Sequence, residues 1–318
     1  MGGTPIFLRI LAMAASAPYL SLKIAWLAGS DIGIPEGSVL LSGDVLITVA
    51  NAVTVLMDAC IAVLALLLTR PWGRRVPAWL LALPMWGAVG LLTPIMFGFP
   101  AGLVAQALGG EAADPASPDR PFLEPWVFDV VYTGFILQGL ALGTLFVLYA
   151  RERWGHLWQG RLGELTARPP GRGPRLAVAA AALLALWPAV THALWLSGFR
   201  SGLATTLADT YDANSAASDT GFVLYAAATV AGAALLLRPG GSRLALRVPL
   251  LLAGVGSAAL AGWGGWLLMA TLSGPRDGGK AATWLMTVTY SVQMIIGLLV
   301  LAAGARFFTR RAIPARAS

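Results

Sequence analysis

Four ionisable side chains in this chain stand inside long apolar runs: Lys23 in YLSLKIAWLAG, Asp58 in AVTVLMDACIAV, Asp129 in WVFDVVYTGF and His192 in AVTHALWLSG. A charge within a membrane helix costs about 2.5–3.5 kcal/mol on insertion scales, so each of them is a candidate functional group. Asp58 lies near the middle of its run, too deep to reach an interface. A carboxylate at that depth is either paired or protonated. Paired, it is an ion-pair member with Lys23 on the adjacent helix; protonated, it is an acid available to a substrate.

Neighbouring polar residues extend the set. Tyr19, Lys23 and Trp26 fall on one helical face. Lys23 has two readings: its stem lies along the helix and the ammonium snorkels to the interface, or the ammonium holds Asp58 or faces a ligand. Asp44, Asn51 and Asp58 recur every seven residues, a polar seam running from the outer end of a helix to its middle. Asp129 fits the first turn of a helix, where an acid is stabilised by the N-terminus; its other reading is a site acid. Tyr132 follows it one turn on, and Tyr290 with Gln293 forms a similar pair. His192, between Thr191 and Trp195, suits either a helix–helix hydrogen bond or a ligand contact. His156 is expected in a solvated loop. Eight of the 12 tryptophans fall near helix ends, as interfacial belts require, while Trp86, Trp187, Trp263 and Trp266 lie deeper. The deep ones either pack or line a site for an apolar or cationic ligand.

Composition says what must position these groups. The 318 residues are 57% hydrophobic and 12% charged, against roughly 25% charged in soluble domains, and the mean hydropathy is +0.73. Only lipid can cover that apolar surface, which makes the chain an all-α integral membrane bundle. Eight segments suffice to cross a core of ~30 Å: about 5–29, 45–69, 77–98, 126–150, 175–199, 220–238, 247–272 and 284–306. The first is read as an uncleaved helix, because Pro18 follows the ASA stretch directly and hydrophobicity continues to Gly29.

Arg and Lys set the orientation. Sixteen of the 22 basic residues fall on one side, in 70–76, 151–175, 238–247 and 306–318. The opposite loops carry most of the acids. Both termini are therefore expected in the cytoplasm, with the chain a multi-pass protein of the bacterial cytoplasmic membrane. This asymmetry and anionic lipid account for the +7 net charge, so nucleic acid is not an expected partner. The single Cys60 forms no internal disulfide. No CxxC, HExxH or paired-histidine spacing is present, and no metal or cofactor is expected. Two loops stand out: the Pro- and Ala-rich Gly109–Pro125, a lid or a plain connector, and Gly163–Arg175, a linker.

The opening stretch recurs. KIAWLAG (Lys23–Gly29) matches HALWLSG (His192–Gly198), RVPAWL (Arg75–Leu80) matches RVPLLL (Arg247–Leu252), and WVFDVVYTGFILQG (Trp126–Gly139) matches WLMTVTYSVQMIIG (Trp284–Gly297). In order and at equivalent segments, they argue for two parallel four-helix repeats: residues 1–162, a linker at 163–174, and residues 175–318. In this register Lys23 meets His192, Asp129 meets Thr287 and Asp58 meets Ala226. The first half then holds the intramembrane charges and the second is mostly neutral, which places the chemistry in the first half.

Chain length, the Ala/Leu/Gly/Arg bias and PYLSLKIAWLAGSDIG together resemble a group of actinobacterial integral membrane proteins, and through them the membrane-integral terpene cyclases of indole-sesquiterpene biosynthesis. The resemblance covers most of the chain but is carried by the first helix and loop. The DDxxD and DxDD motifs of soluble cyclases are absent. What it implies is an isomerase- or lyase-type enzyme of terpenoid biosynthesis acting on a prenylated, lipid-like substrate such as a farnesylated indole. Such chemistry needs an acid kept protonated in an apolar site and aromatic walls for a moving carbocation. Asp58 or Asp129 fits the acid, oriented by Asp44 or Asn51, with Trp86, Trp187, Trp263, Tyr132 and Tyr290 as walls and Lys23, Tyr19, His192 and Gln293 as further substrate contacts. An Asp58 neutralised by Lys23 would leave the acid role to Asp129. The alternatives are a small-molecule or ion transporter with a midplane site between repeats, and a non-catalytic membrane subunit. Against transport, no Gly- or Pro-broken helices are apparent at matching positions of the halves.

Overall fold

The computed structural model describes residues 3–41, 45–110, 123–166, 171–237, 243–274 and 278–312, and among these the regular structure is helical. Ten α-helices follow one another: α1 (Gly3–Leu27), α2 (Val45–Thr69), α3 (Ala78–Ala107), α4 (Pro125–Trp158), α5 (Arg172–Leu184), α6 (Leu186–Leu196), α7 (Thr205–Asp209), α8 (Ala213–Leu237), α9 (Arg247–Ser273) and α10 (Trp284–Ala312). With α5 and α6 taken as one, eight helical segments among the described residues are long and apolar enough to span a membrane. Many of their large apolar side chains are exposed, as with Leu56, Leu140, Leu183 and Leu251. Only lipid rewards that arrangement.

The fifth segment differs from the sequence expectation, because it is interrupted at Ala185. Pro188 explains the break. It has no N–H to give the carbonyl of Leu184, and its ring crowds that carbonyl. The first segment also carries a proline, Pro18, inside α1. Each proline lies about one turn before the key residue of its helix, Lys23 or His192, but α1 runs unbroken through Pro18, so of these two segments only the fifth is interrupted. The sixth segment starts earlier than expected, at Ala213, and therefore contains Asp219. α4 runs on to Trp158, so His156 sits exposed in its last turn. Of the two loops singled out above, 111–122 and 167–170 lie outside the described residues.

The chain forms two compact units. The first comprises Met1–Ala88 and Ala113–Arg153, the second Val89–Ala112 and Trp154–Ser318, so that α3 contributes to both. In the first, α1 packs on α2, and α1 meets α4 where Tyr19 stands edge-on to Phe135 at 5.2 Å. Its aromatic core gathers Tyr19, Trp26, Phe128, Tyr132 and Phe135 around buried Val127 and Val131. In the second, α9 packs against α8 and α10. Small residues permit the close approach: a methyl group added at Gly297 would strike Ala261 and the Ser257 carbonyl, and one at Gly264 would strike Gln293 and the Tyr290 carbonyl. Without a hydrophobic force between helices in lipid, such contacts supply the packing. Phe222, Tyr225, Leu260 and Ile296 fill the core they leave.

Candidate functional site

In the first unit, Ala12, Ser16 and Lys23 are the buried residues of α1, and Lys23 is only 8% exposed. Its ammonium does not snorkel. It donates to Asn51 Oδ1 at 2.6 Å and lies 4.9 Å from the Tyr19 ring centre and 5.3 Å from that of Trp26. Two aromatic faces and one amide oxygen thus replace the water an ammonium would otherwise hold. Trp26 is itself fixed, its indole N–H donating to the Ile32 carbonyl at 2.8 Å.

Asp58, one helical repeat below Asn51 on α2, is 5% exposed, and its Oδ2 has no hydrogen-bond partner among the described residues. Among those residues no contact ion pair joins it to Lys23, whose ammonium donates to Asn51, but Lys23 and Asp58 lie within electrostatic reach of one another. Asp58 and Tyr132 both lie within electrostatic reach of the Tyr19 hydroxyl. Tyr132 continues an aromatic series with Phe128 at 5.9 Å and Phe135 at 6.5 Å between ring centres. On the same helix Gln138 is fully buried, and neither of its amide atoms has a partner among the described residues. Buried polar atoms are nearly always satisfied, so Asp58 and Gln138 carry unused hydrogen-bonding capacity in this unit, as Arg200 Nε and Gln293 Oε1 do in the second.

The second unit holds a chain of hydrogen bonds that the sequence reading did not assemble. Tyr211, between α7 and α8, donates its hydroxyl to Asp219 Oδ2 at 2.6 Å. Asp219 Oδ1 lies 2.7 Å from His192 Nδ1, and His192 Nε2 lies 2.8 Å from Gln293 Nε2. With the Gln293 amide donating, the single imidazole proton sits on Nδ1 and goes to the carboxylate. His192 is 2% exposed, stacked on Phe222 at 4.5 Å and edge-on to Trp195 at 5.0 Å. Gln293 Oε1 is buried without a partner among the described residues. Beyond Tyr211 the Arg200 guanidinium lies 4.2 Å over the phenol ring. Burial, and then the Asp219 carboxylate beside it, push the Tyr211 phenol above its ordinary value of 10.0. The expectation that the second half is mostly neutral is therefore overturned: Asp219 falls just before the predicted start of the sixth segment, yet it is buried in α8.

The other expected residues are distributed as follows. Asp129 is exposed on α4 and joins neither cluster. Asp44 lies outside the described residues. Trp86 is half-buried on the part of α3 belonging to the first unit. Trp187 is 40% exposed and donates to Thr289 Oγ1 at 3.1 Å; Trp263 donates to the Leu91 carbonyl at 3.0 Å. Both belong to the second unit and not to the aromatic cluster near Asp58. Tyr290 is buried with Trp195 and Met286, within electrostatic reach of Asp219.

The two clusters share a plan. Lys23 and Asn51 are 28 residues apart and bonded; His192 and Asp219 are 27 apart and bonded. The register that sets Asp58 against Ala226 also sets Asn51 against Asp219, seven residues earlier in each half. No protein-family model, no curated protein and no solved structure matches this chain.

Proposed function

We propose that this protein is a membrane-embedded enzyme that protonates and cyclises an apolar, prenylated substrate such as a farnesylated indole, with Asp58 as the acid. One observation carries the reading: a carboxyl group buried at mid-segment, with an oxygen left unpartnered among the described residues, within electrostatic reach of Tyr19, which packs on a run of aromatic rings. The reading requires the Asp58 carboxyl to carry its proton when the substrate binds. The Asp58 O–H bond breaks and a C–H bond forms at a substrate alkene. The resulting carbocation is attacked by a second π bond, closing a ring. A proton lost from a neighbouring carbon to the Asp58 carboxylate restores the acid, and the product is an isomer of the substrate. Tyr132, Phe128 and Phe135 offer π faces to the cation. The faces of Tyr19 and Trp26 already hold the Lys23 ammonium, so Lys23 and Asn51 serve as a positioning pair and not as part of the wall.

In this reading the chain is a duplicated four-helix unit with parallel halves. It lies in a bacterial cytoplasmic membrane with both termini inside, an orientation supported by the one-sided distribution of its arginines. The test is product analysis in a host supplied with prenylated substrates. Wild type yields a cyclised isomer of unchanged mass, Asp58→Asn yields none, and Asp129→Asn behaves as wild type. Cyclisation that survives Asp58→Asn refutes the assignment.

A second reading is favoured by the Tyr211–Asp219–His192–Gln293 chain, since linked carboxylate and imidazole groups within membrane helices are how proton-coupled transporters move protons. Absence of any cyclised product, together with substrate-dependent proton flux in vesicles that His192→Ala abolishes, decides for it.

A further inference from the structure

The first unit has a groove at the end opposite the Lys23 cluster, between the start of α1, the end of α2 and the last turns of α4. It encloses about 490 Å³ and is lined by Pro5, Leu68, Leu145 and Leu148 on its apolar side and by Arg70, Arg74, Tyr149 and Glu152 at its mouth. We propose that this groove binds one anionic phospholipid, its phosphate between Arg70 and Arg74 and an acyl chain along the leucines.

Three features support this occupant. The mouth is built, not loose: a short 3-10 turn at Pro71–Arg75 carries Arg74, and α4 clamps that turn. Tyr149, 6% exposed, donates its hydroxyl to the Gly73 carbonyl at 3.1 Å, and Arg153 donates to the Val76 carbonyl at 2.8 Å as well as to the Tyr149 oxygen. The charge is complementary. Arg74 is paired with Glu152, which cancels the only acid in the lining, while Arg70 is exposed and has no partner among the described residues. The excess is therefore cationic, and a phosphodiester supplies what Arg70 lacks. The gradient also matches. Leucines give way to arginines along the groove at the ends of spanning helices, where a lipid has its acyl chain below its headgroup. A soluble anion would use the arginines and leave the leucines bare. The site depends on the chain being in a membrane and not on the catalytic reading.

The test uses the full-length protein, purified and delipidated in detergent, with thermal stability and native mass spectrometry as readouts. Phosphatidylglycerol is expected to bind saturably at one molecule per chain and to raise the midpoint, with phosphatidylcholine and inorganic phosphate ineffective. Arg70→Gln/Arg74→Gln should weaken phosphatidylglycerol binding by roughly tenfold or more. The charge-matched control Arg306→Gln/Arg310→Gln should leave it unchanged. The proposal is overturned if the Arg70/Arg74 variant binds as wild type does, if both double variants lose binding equally, or if phosphatidylcholine binds as well. Equal stabilisation by inorganic phosphate would also overturn it, making the mouth a free-anion site. Circular dichroism confirms that the variants fold; the exposed Arg74–Glu152 pair contributes too little for its loss to unfold the chain.

Discussion

Trp26 and Trp195 make the same hydrogen bond: each indole N–H donates to the carbonyl six residues further on, Ile32 at 2.8 Å and Ser201 at 3.3 Å. The next residue in each case is a glycine in the left-handed region, Gly33 at φ 73° and Gly202 at φ 85°. A methyl group on Gly33 would lie 2.4 Å from Val127, and one on Gly202 would lie 2.3 Å from Leu285. Val127 and Leu285 are themselves the residues after Trp126 and Trp284, which the sequence repeat aligns. One turn before Trp26 and Trp195 come Lys23 and His192, each bonded to the next spanning helix, α2 or α8. The same helix end, the same turn and the same docking partner thus occur twice, carrying different polar pairs.

Replacing Gly33 by Ala therefore costs the left-handed penalty, about 1–2 kcal/mol, plus the displacement of Val127. Gly202→Ala meets the same combination at Leu285. Both variants should lower the thermal midpoint by similar amounts. A loss at one position and none at the other would separate the two halves.

Asn51 is predicted to act as the acceptor for Lys23. Asn51→Ala leaves a buried ammonium with only ring faces and should cost about 1–3 kcal/mol. Asn51→Asp keeps an acceptor and strengthens it by charge, so it should retain stability close to that of wild type. Chemical denaturation in mixed micelles ranks the three; an Asn51→Asp variant as damaged as Asn51→Ala would contradict the hydrogen-bond assignment.

His192 and Asp219 should be strongly coupled. Removing His192 alone leaves the buried Asp219 carboxylate with Tyr211 as its remaining donor, and about 1–3 kcal/mol should be lost. A double-mutant cycle with His192→Ala and Asp219→Ala should show a coupling of about 0.5–3 kcal/mol, whereas independent sites add.

Tyr211 gives that cluster a pH signature. Its proton is held more tightly in the folded than in the unfolded chain, because the phenol is raised above 10.0. Its contribution to stability is then full below pH 10 and falls as the pH climbs above that value. The difference between wild type and Tyr211→Phe should be constant from neutral pH to about pH 10 and shrink above it. A difference that instead grows at alkaline pH would reverse the sign and refute the Tyr211–Asp219 bond.

The spanning helices were legible because lipid enforces a simple rule: long apolar runs with few charges. Lys23 and Asn51 were legible as neighbours too. What escaped was Asp219. Its surroundings, ANSAASDTGF, read as a polar loop leading into a helix, and hydropathy alone places the helix start at about 220, one residue past Asp219 and seven past the observed start at Ala213. Tyr211 and Arg200 escaped for the same reason, being loop residues whose burial comes from tertiary packing. The signal was present all the same. Extending the Asp58–Ala226 register by two turns pairs Asn51 with Asp219, and a polar residue opposite a polar residue predicts that His192 has a partner. The orphaned atoms of Asp58, Gln138 and Gln293 could not be read from sequence at all, since only coordinates show which polar groups lack a partner. Asp129 fits a helix start as well as an acid, and its exposure favours the first.

The central claim, that Asp58 delivers a proton to an apolar substrate, is tested most directly by running the reaction in deuterated water. Purified protein in lipid vesicles receives a farnesylated indole, and the products are weighed. The account predicts a cyclised isomer carrying one deuterium from the acid, formed by wild type and by Asp129→Asn but not by Asp58→Asn. A cyclised product with no solvent deuterium, or one formed equally well by Asp58→Asn, would contradict it.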